Sequence, residues 1–372
     1  MTDKYKIQGW CPSFVKPAIA KDGIFIRITP DKGFLSFHDS LRLCDLSIKY
    51  GNGLIDLTNR GNLQIRGIKD SYLDNFRNIL EKKKIVRGNN NNIIISPFWK
   101  KNDKNSYFYK KLKDIYLLLP TISDKFSIAV DLGFNPVLSN ISADIRLELS
   151  KNDDIIIRAD GNKLGKKVNS ENILENILLL SKFFSDNFSD KNRRMSSIIR
   201  ETSLPNDWSK ICPKEFQMPS MKAISKIGVY YGTKFGRINA NDFKNILILS
   251  NPDKVRFTPY KTFILEKGLR VLDNNFINNL QIPENNIHAC PGMFSCSASS
   301  IDTHVIANNL LKLTNKTVHV SGCNKGCAYS KNADITLVGN KGLIDVIYEG
   351  KSIDKPHLRN LSKEEVLQKV SF

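Results

Sequence analysis

The feature that most constrains how this chain can fold is a repeated order of elements. From Asp22-Gly23 the segment GIFIRI reads as a strand, Asp31-Lys32-Gly33 carries turn chemistry, and DSLRLCDLSIKY from Asp39 has helical periodicity closed by Gly51. LIDL and LQIRGI read as short strands on either side of Thr58-Asn59-Arg60-Gly61, and a helix is expected from about Asp70 to Lys84. The same order returns at Lys226. KIGVYYG is a strand, FGRINANDFKNILILS carries a loop and a helix, and KVRFTPYKTFILEKG gives two strands around Thr258-Pro259. Thr58 and Thr258 fall in matching turns, and DNNFINNL from Asp273 is expected as a helix-rich tail like the one in the first copy. Two duplicated α+β units pack as pseudo-symmetric partners with a cleft at their junction, where ligands commonly sit. Two unrelated stretches with similar turns are the alternative.

A larger segment separates the copies. It reads as a strand from Ile93 to Ser96, a helix from about Tyr107 to Leu118 ended by Pro120, strands starting at Phe126, Asp144 and Asp154, and a helix capped by Ser170. After the second copy a matching pattern follows: a helix through Leu311, the strand KTVHV, a turn at Cys323 to Cys327, and the strands DITLVG and LIDVIYEG. The fold class is α+β, in four units spanning residues 1–84, 85–220, 221–284 and 285–372, alternately small and large. A chain of 372 residues needs more than one core.

Four of the seven cysteines lie in two close pairs in the last unit, Cys290 with Cys296 in HACPGMFSC and Cys323 with Cys327 in HVSGCNKGCAYS. Four thiolates are the standard ligand set of an iron–sulfur cluster, and pairs from separate segments let a buried cluster tie those segments together. Structural zinc sites usually pair cysteines more tightly than Cys290 and Cys296. A zinc site or buried apolar cysteines are the other readings. If residues 323 to 327 form a helical turn, Cys323 and Cys327 share a face. Cys11, Cys44 and Cys212 are scattered and read as buried or inert. His288 and His319 sit beside the pairs, and a satisfied structural role is expected for each.

TNRGNLQIRG, residues 58 to 67, is the second dense stretch. Arg60 and Arg66 offer guanidinium forks suited to carboxylates, and Asn62 and Gln64 alternate along a strand, unless the segment is only a solvated edge. Lys125, Arg256, Lys261 and Lys325 are further candidate cations. Lys and Arg number 56 against 37 Asp and Glu, a net charge of +19 that attracts polyanions, either nucleic acid or a carboxylate-rich small molecule. The basic residues are spread through the chain with no nucleic-acid module to concentrate them, and a compositional bias toward Lys and Asn accounts for part of the excess. No apolar run approaches the roughly 18 residues of a membrane span, and MTDKYKIQGW lacks the apolar stretch of a secretory signal, so a cytoplasmic protein with no membrane partner is expected.

The duplicated units, TNRGNLQIRG and the two cysteine sets together resemble the sirohaem-type sulfite and nitrite reductase superfamily over essentially the whole chain. The resemblance implies a duplicated architecture of two ferredoxin-like half-domains and two larger α/β units, one carrying an iron–sulfur cluster. It implies that Cys290, Cys296, Cys323 and Cys327 hold a [4Fe-4S] cluster, the last bridging to sirohaem iron in the reductases. The reductases neutralise a small anion with four cations. At the corresponding positions this chain keeps Arg60 and Lys125 but reads Asn91-Asn92 and Lys125-Phe126-Ser127, without one arginine and one lysine. Each charge-assisted contact is worth on the order of 1.5–3 kcal/mol, so sulfite or nitrite binding should be weak.

Several segments, WCPSFVKP, KFSIAVDLG, FGRI, RFTPYK, HACPGMFSC and VSGCNKGCA, instead resemble the precorrin-3B synthases, the cobalamin-pathway branch of that superfamily. That resemblance implies precorrin-3A in the cleft where reductases hold their cofactor, with Arg60, Asn62, Gln64, Arg66, Lys125 and Lys325 as candidate substrate contacts. The reaction it implies is an oxygen-dependent monooxygenation: C20 is hydroxylated and the ring A acetate closes a lactone, with dioxygen and an electron donor as partners. A non-haem iron is associated with the family as well, but His288, His304 and His319 form no two-histidine, one-carboxylate set. A sirohaem-dependent sulfite or nitrite reductase is the alternative.

Overall fold

The computed structural model describes residues 12–86, 92–120, 123, 125–277, 286–311 and 313–371. Trp10, Cys11 and Asn91 lie outside them. The first small unit runs β1 (Ala18–Ala20), β2 (Gly23–Ile28), β3 (Phe34–Ser36), α1 (Phe37–Tyr50), β4 (Leu54–Leu57), β5 (Leu63–Ile68) and α2 (Asp70–Lys82). The first large unit holds β6 (Ile93–Ile95), α3 (Lys104–Ile115), β7 (Ile128–Asp131), β8 (Ile145–Leu149), β9 (Ile155–Ala159), β10 (Lys166–Lys167), α4 (Ile173–Asn187) and α5 (Met195–Glu201). The second small unit has α6 (Met221–Ser225), β11 (Gly228–Gly232), β12 (Arg237–Asn239), α7 (Ala240–Ser250), β13 (Lys254–Thr258) and β14 (Thr262–Glu266). The last contains β15 (Ile287–Ala289), α8 (Thr303–Leu310), β16 (Val318–Ser321), β17 (Ala333–Asn340), β18 (Leu343–Gly350), β19 (Leu358–Leu361) and α9 (Lys363–Lys369).

The small units are not two separate sheets. β3 of the first copy pairs with β13 of the second, and β12 of the second pairs with β4 of the first. The exchange is symmetric in detail. Phe37 N donates to the Asp253 carbonyl at 3.2 Å, and at the matching place Ala240 N donates to the Gly53 carbonyl at 2.9 Å. Ser36 and Asn239 cap α1 and α7 in turn, each offering its side-chain oxygen to backbone N–H groups of the first turn. One hydrophobic core, with Ile26, Leu43, Ile65, Phe243, Phe257 and Phe263 among its members, runs through both copies.

The large units share a topology. β6, β7 and β8 run parallel with β9 and β10 antiparallel, and β15, β16 and β17 run parallel with β18 and β19 antiparallel. Each has its own core. In open sheets of this kind ligands gather beyond the carboxyl ends of parallel strands, and there, after β15 and β16, the chain carries its two cysteine pairs.

Three local expectations are corrected. α4 starts at Ile173 with Asn172 as N-cap, because Asn169 rather than Ser170 receives the preceding backbone N–H groups. α3 starts earlier than its periodicity suggested, since Asp103 accepts from Ser106 N at 2.7 Å. The described part of DNNFINNL holds turns and a bridge from Ile277 to Gly232, not a helix. No helix among the described residues is long and apolar enough to cross a membrane.

The matching turns meet back to back. Thr58 Oγ1 accepts from Arg60 N at 3.3 Å and Thr258 Oγ1 accepts from Tyr260 N at 3.2 Å. Gly61, at φ 71, is pressed so close to the second copy that a Cβ would lie 2.9 Å from the Phe257 carbonyl oxygen. Gly61→Ala should therefore lower stability by about 1–3 kcal/mol, read as an earlier urea midpoint. An unchanged midpoint would mean the two turns are not tightly apposed.

Candidate active site

The exchange of β12 extends the first sheet to β1-β2-β5-β4-β12 and lays one polar row across it. Arg27 on β2 pairs with Gln64 on β5, Gln64 with Asp56 on β4, and Asp56 with Arg237 on β12. Side chains at paired positions share a face. Gln64, with its amide oxygen turned toward Arg27, accepts from Nη2 at 2.9 Å and Nε at 3.2 Å. Arg237 Nε donates to Asp56 Oδ1 at 2.9 Å.

This row floors a cavity of about 360 Å³. Arg60 and Asn62 rise from the Thr58 turn on one side. The Phe235-Gly236 loop, Lys261, His304, Cys290 and Cys327 close the other. A second cavity, about 460 Å³, shares Arg27, Arg60 and Asn62 with the first and adds Lys16, Asn92, Lys125 and Arg194. The two form one cleft with a basic lining. Its carboxylate among the described lining residues is Asp56, already paired with Arg237.

The cysteines converge from two loops. Cys290 follows β15 and its Sγ accepts from Gly322 N at 3.2 Å, while Cys296 N donates to the Gly292 carbonyl at 2.9 Å. Cys323 and Cys327 follow β16 in a bend and turns rather than a helix, with Gly326 at φ 62. Burial pushes the Cys327 thiol up, and Cys323, Cys290 and Cys296 push it further. Cys323 is likewise raised by burial and by Cys296 and Cys290. So four thiols share one neighbourhood, where each disfavours the charge of the others unless a cationic group compensates them.

Those residues fit an iron–sulfur cluster. Among the described residues no three His, Cys, Asp or Glu side chains stand close enough to grip a single metal ion. Four thiols brought together from two loops, with Cys290 and Cys327 on one cavity wall, are the donor set an iron–sulfur cluster takes, one thiolate to each corner. Orphaned polar atoms surround the spot. Both ring nitrogens of the buried His319 and Oγ of Ser300 have no partner among the described residues. The His319 ring lies under the Cys323–Cys327 turn, its Cε1 3.5 Å from where a Cβ on Gly326 would be, and the Ser300 N–H bonds the Gly322 carbonyl at 3.2 Å. Buried polar atoms are seldom left unpaired, so His319 is not the satisfied histidine its sequence position suggested. His288 stacks on Tyr329 at 4.2 Å. Burial, then the nearby Lys261, lowers His288 to about 3 and His319 to about 4, and burial followed by Arg237 lowers His304 to about 4. All three are neutral imidazoles.

The candidate residues divide. Arg60, Asn62 and Gln64 line the inner cavity with Cys290 and Cys327, and Lys125 lines the outer one. Cys296 and Cys323 line neither. Arg66 is a correction: it shares a face with Gln64 but lies further along β5, where Asp22 takes Nε and Nη2 at 2.9 and 3.0 Å and the Ser295 carbonyl takes Nη2 at 2.9 Å. It docks the first sheet onto the loop bearing Cys296. Lys325 is exposed on the turn between Cys323 and Cys327 and lines neither cavity. Arg256 is also structural, bound to Glu266 and to the carbonyls of Pro97 and Trp99. Ser127 is buried with its hydroxyl unpartnered among the described residues and lines neither cavity.

Sequence reasoning missed Lys16, Arg27, Arg194 and Arg237. Lys16 lies in the lead before β1, where WCPSFVKP carried resemblance but no chemistry of its own, and Arg27 sits on β2 among apolar neighbours. Arg194 and Arg237 enter the site through tertiary pairing, Arg194 with Asp144 at 3.0 Å.

Comparison with known proteins agrees with this architecture. Residues 18–83 match the family described as the Nitrite/Sulfite reductase ferredoxin-like half domain. A precorrin-3B synthase from Sinorhizobium sp is 22% identical over 396 residues, taking in 94% of this chain and 84% of the relative. The structure of the Mycobacterium tuberculosis NirA protein superposes with a TM-score of 0.64 at 16% identity, covering 92% of this chain and 78% of that one. The fold is the duplicated, nitrite/sulfite reductase-like one, and the chain is similar along nearly its whole length to a precorrin-3B synthase.

Proposed function

We propose that this chain is a precorrin-3B synthase: an oxidoreductase of cobalamin biosynthesis whose cleft takes precorrin-3A and whose four cysteines hold a [4Fe-4S] cluster. The observation that carries the reading is the opening of Cys290 and Cys327 onto the same cavity as Arg60, Asn62 and Gln64, in a cleft that is basic from end to end. A reduced tetrapyrrole is a flat polyanion with carboxylates around its rim. A cleft with cations along its length suits it better than it suits one small anion, for which the cations would converge on a point. The similarity to a synthase over nearly the whole chain points the same way.

In this reading precorrin-3A is hydroxylated at C20 and its ring A acetate closes a lactone. One atom of dioxygen enters the product and the other leaves as water, with two electrons supplied by a donor. When bound, the cluster provides one-electron transfer. The chain's own residues bind and orient. Arg60 sits where the two cavities join, Arg27 is set by Gln64, and Lys125 reaches the outer rim. Arg237 is fixed by Asp56 at the inner end. Neutral His304, edge-on to Phe235 at 5.4 Å, closes the wall without adding charge.

The reductase alternative lacks a cation at the Ser127 position, which is buried and lines neither cavity, but Lys16, Arg27 and Arg194 make the cleft more basic than a count of the reductase positions suggests. Purified protein with reconstituted cluster should convert precorrin-3A, only with dioxygen and a reductant, into a product heavier by one oxygen atom by mass spectrometry. A bound sirohaem spectrum with sulfite- or nitrite-dependent oxidation of reduced dye, and no such product, would overturn the reading.

A further inference from the structure

We infer that Lys261 is the counter-charge of the cluster site: its ammonium, buried at the wall of the cavity that Cys290 and Cys327 also line, compensates the negative charge of the four-thiolate group and sets its reduction potential. This rests on the cysteines being cluster ligands.

Three observations lead to it. The first is duplication. Lys261 occupies in the second copy the place that Gly61 occupies in the first, three residues after the matching threonines, and both backbones are left-handed, at φ 58 and φ 71. Glycine accepts that conformation freely and lysine does not. Strained residues persist where the surrounding structure holds them, and they cluster at functional sites. Here the Lys261 carbonyl is held by Thr233 N at 3.0 Å and Thr233 Oγ1 at 2.6 Å.

The second is the course of the side chain. Its stem borders the cavity and passes Gly236, its Cγ and Cδ 3.3 and 3.4 Å from where a Cβ there would stand. Nζ at its end is shut off from solvent and has no hydrogen-bond partner among the described residues. A buried ammonium without an acceptor is costly unless an anion answers it.

The third is which anion is at hand. Cys290 and Cys327 line the same cavity as Lys261; burial lowers Lys261 to about 8, and what opposes that is negative charge at Cys290 first and at Asp56 second. Asp56 is already held by Arg237 at 2.9 Å and Arg66 at 3.6 Å. The charge left to Lys261 is that of the cysteine site. A cluster on four thiolates is net negative, and its potential follows the charge around it. Lys261 is thus a positioning residue for electrons, acting through the cluster rather than on substrate.

The test uses full-length reconstituted protein: wild type, Lys261→Met, Lys261→Gly and Lys261→Arg. Iron and sulfide are assayed, and the midpoint potential is read by dye-mediated titration followed by electron paramagnetic resonance. Lys261→Gly keeps a backbone suited to the turn, as Gly61 shows, so misfolding is not its expected fate. Met and Gly variants should retain the cluster but show a roughly tenfold lower reduced-to-oxidised ratio at the wild-type midpoint, a shift of about 59 mV to more negative potential for one electron. Lys261→Arg should restore most of the difference. Cluster loss in Met and Gly but not Arg would support the same role, as a charge needed for assembly. Full iron and sulfide with a wild-type midpoint in Met and Gly would overturn it, as would loss in all three variants, which would make the lysine's shape the requirement. Wild-type protein that takes up no iron and sulfide would instead remove the cluster reading itself.

Discussion

Cys327→Ser should yield folded protein that, unlike the wild type, takes up no iron–sulfur cluster on reconstitution. Cys327 stands on a turn at the cavity wall. The core of its unit is built from Ile287, Val318, Val320, Leu337 and Val346 and does not include Cys327, so the change touches a ligand and spares the packing. A serine hydroxyl stays protonated where a thiol ionises, and the thiolate is the form that binds iron. Iron and acid-labile sulfide should fall to near background after anaerobic reconstitution, with far-ultraviolet circular dichroism unchanged. Cys212→Ser supplies the control: Cys212 is exposed and belongs to the first large unit. Full iron and sulfide in Cys327→Ser would remove Cys327 from the ligand set.

Arg60→Ala should have the next largest effect, on tetrapyrrole binding. Arg60 is shared by both cavities, so a carboxylate-bearing ligand lying along the cleft has to pass it. A charge-assisted hydrogen bond to such a group is worth roughly 1.5–3 kcal/mol, about a ten- to hundredfold weaker affinity when removed. Equilibrium binding of a carboxylated tetrapyrrole under anaerobic conditions, followed by fluorescence quenching, measures it without turnover. Raising salt should narrow the gap between wild type and variant, because exposed charge–charge attraction is screened. An affinity equal to wild type would return Arg60 to the role of a solvated turn residue. Arg66→Ala separates the two arginines of the stretch: with Arg66 bound to Asp22 and the Ser295 carbonyl, its loss should appear first in stability.

How much was legible follows from the range over which each signal acts. α1, β4, β5, α2, β13 and β14 were readable because periodicity, glycine and proline punctuation and capping chemistry are local. The exchange of β3 and β12 was not, since either strand is only three residues long and nothing in PheLeuSer or ArgIleAsn states which neighbour it will choose. That exchange places Arg237 beside Asp56 and completes the polar row. The same limit explains Arg66. Its alternation with Gln64 was correct, but strand period says which face a side chain shares, not what covers that face further along. His319 shows the converse, a residue whose neighbours in sequence suggested a satisfied core position and whose ring nitrogens are unanswered by the protein around it.

By itself the sequence determined that this protein is a duplicated α+β chain with four cysteines in two loops and a guanidinium-rich turn, because elements, repeats and ligand spacings are written in runs of neighbouring residues. Only the tertiary structure decided that Cys290 and Cys327 open onto the cavity of Arg60 while Arg66 is withdrawn from it, and that the lysine in the second of two equivalent turns buries its ammonium at the wall of that cavity where the first turn has glycine. Those outcomes depend on which strands pair across the duplication, and the free energy of that choice comes from packing one shared core rather than from any local preference.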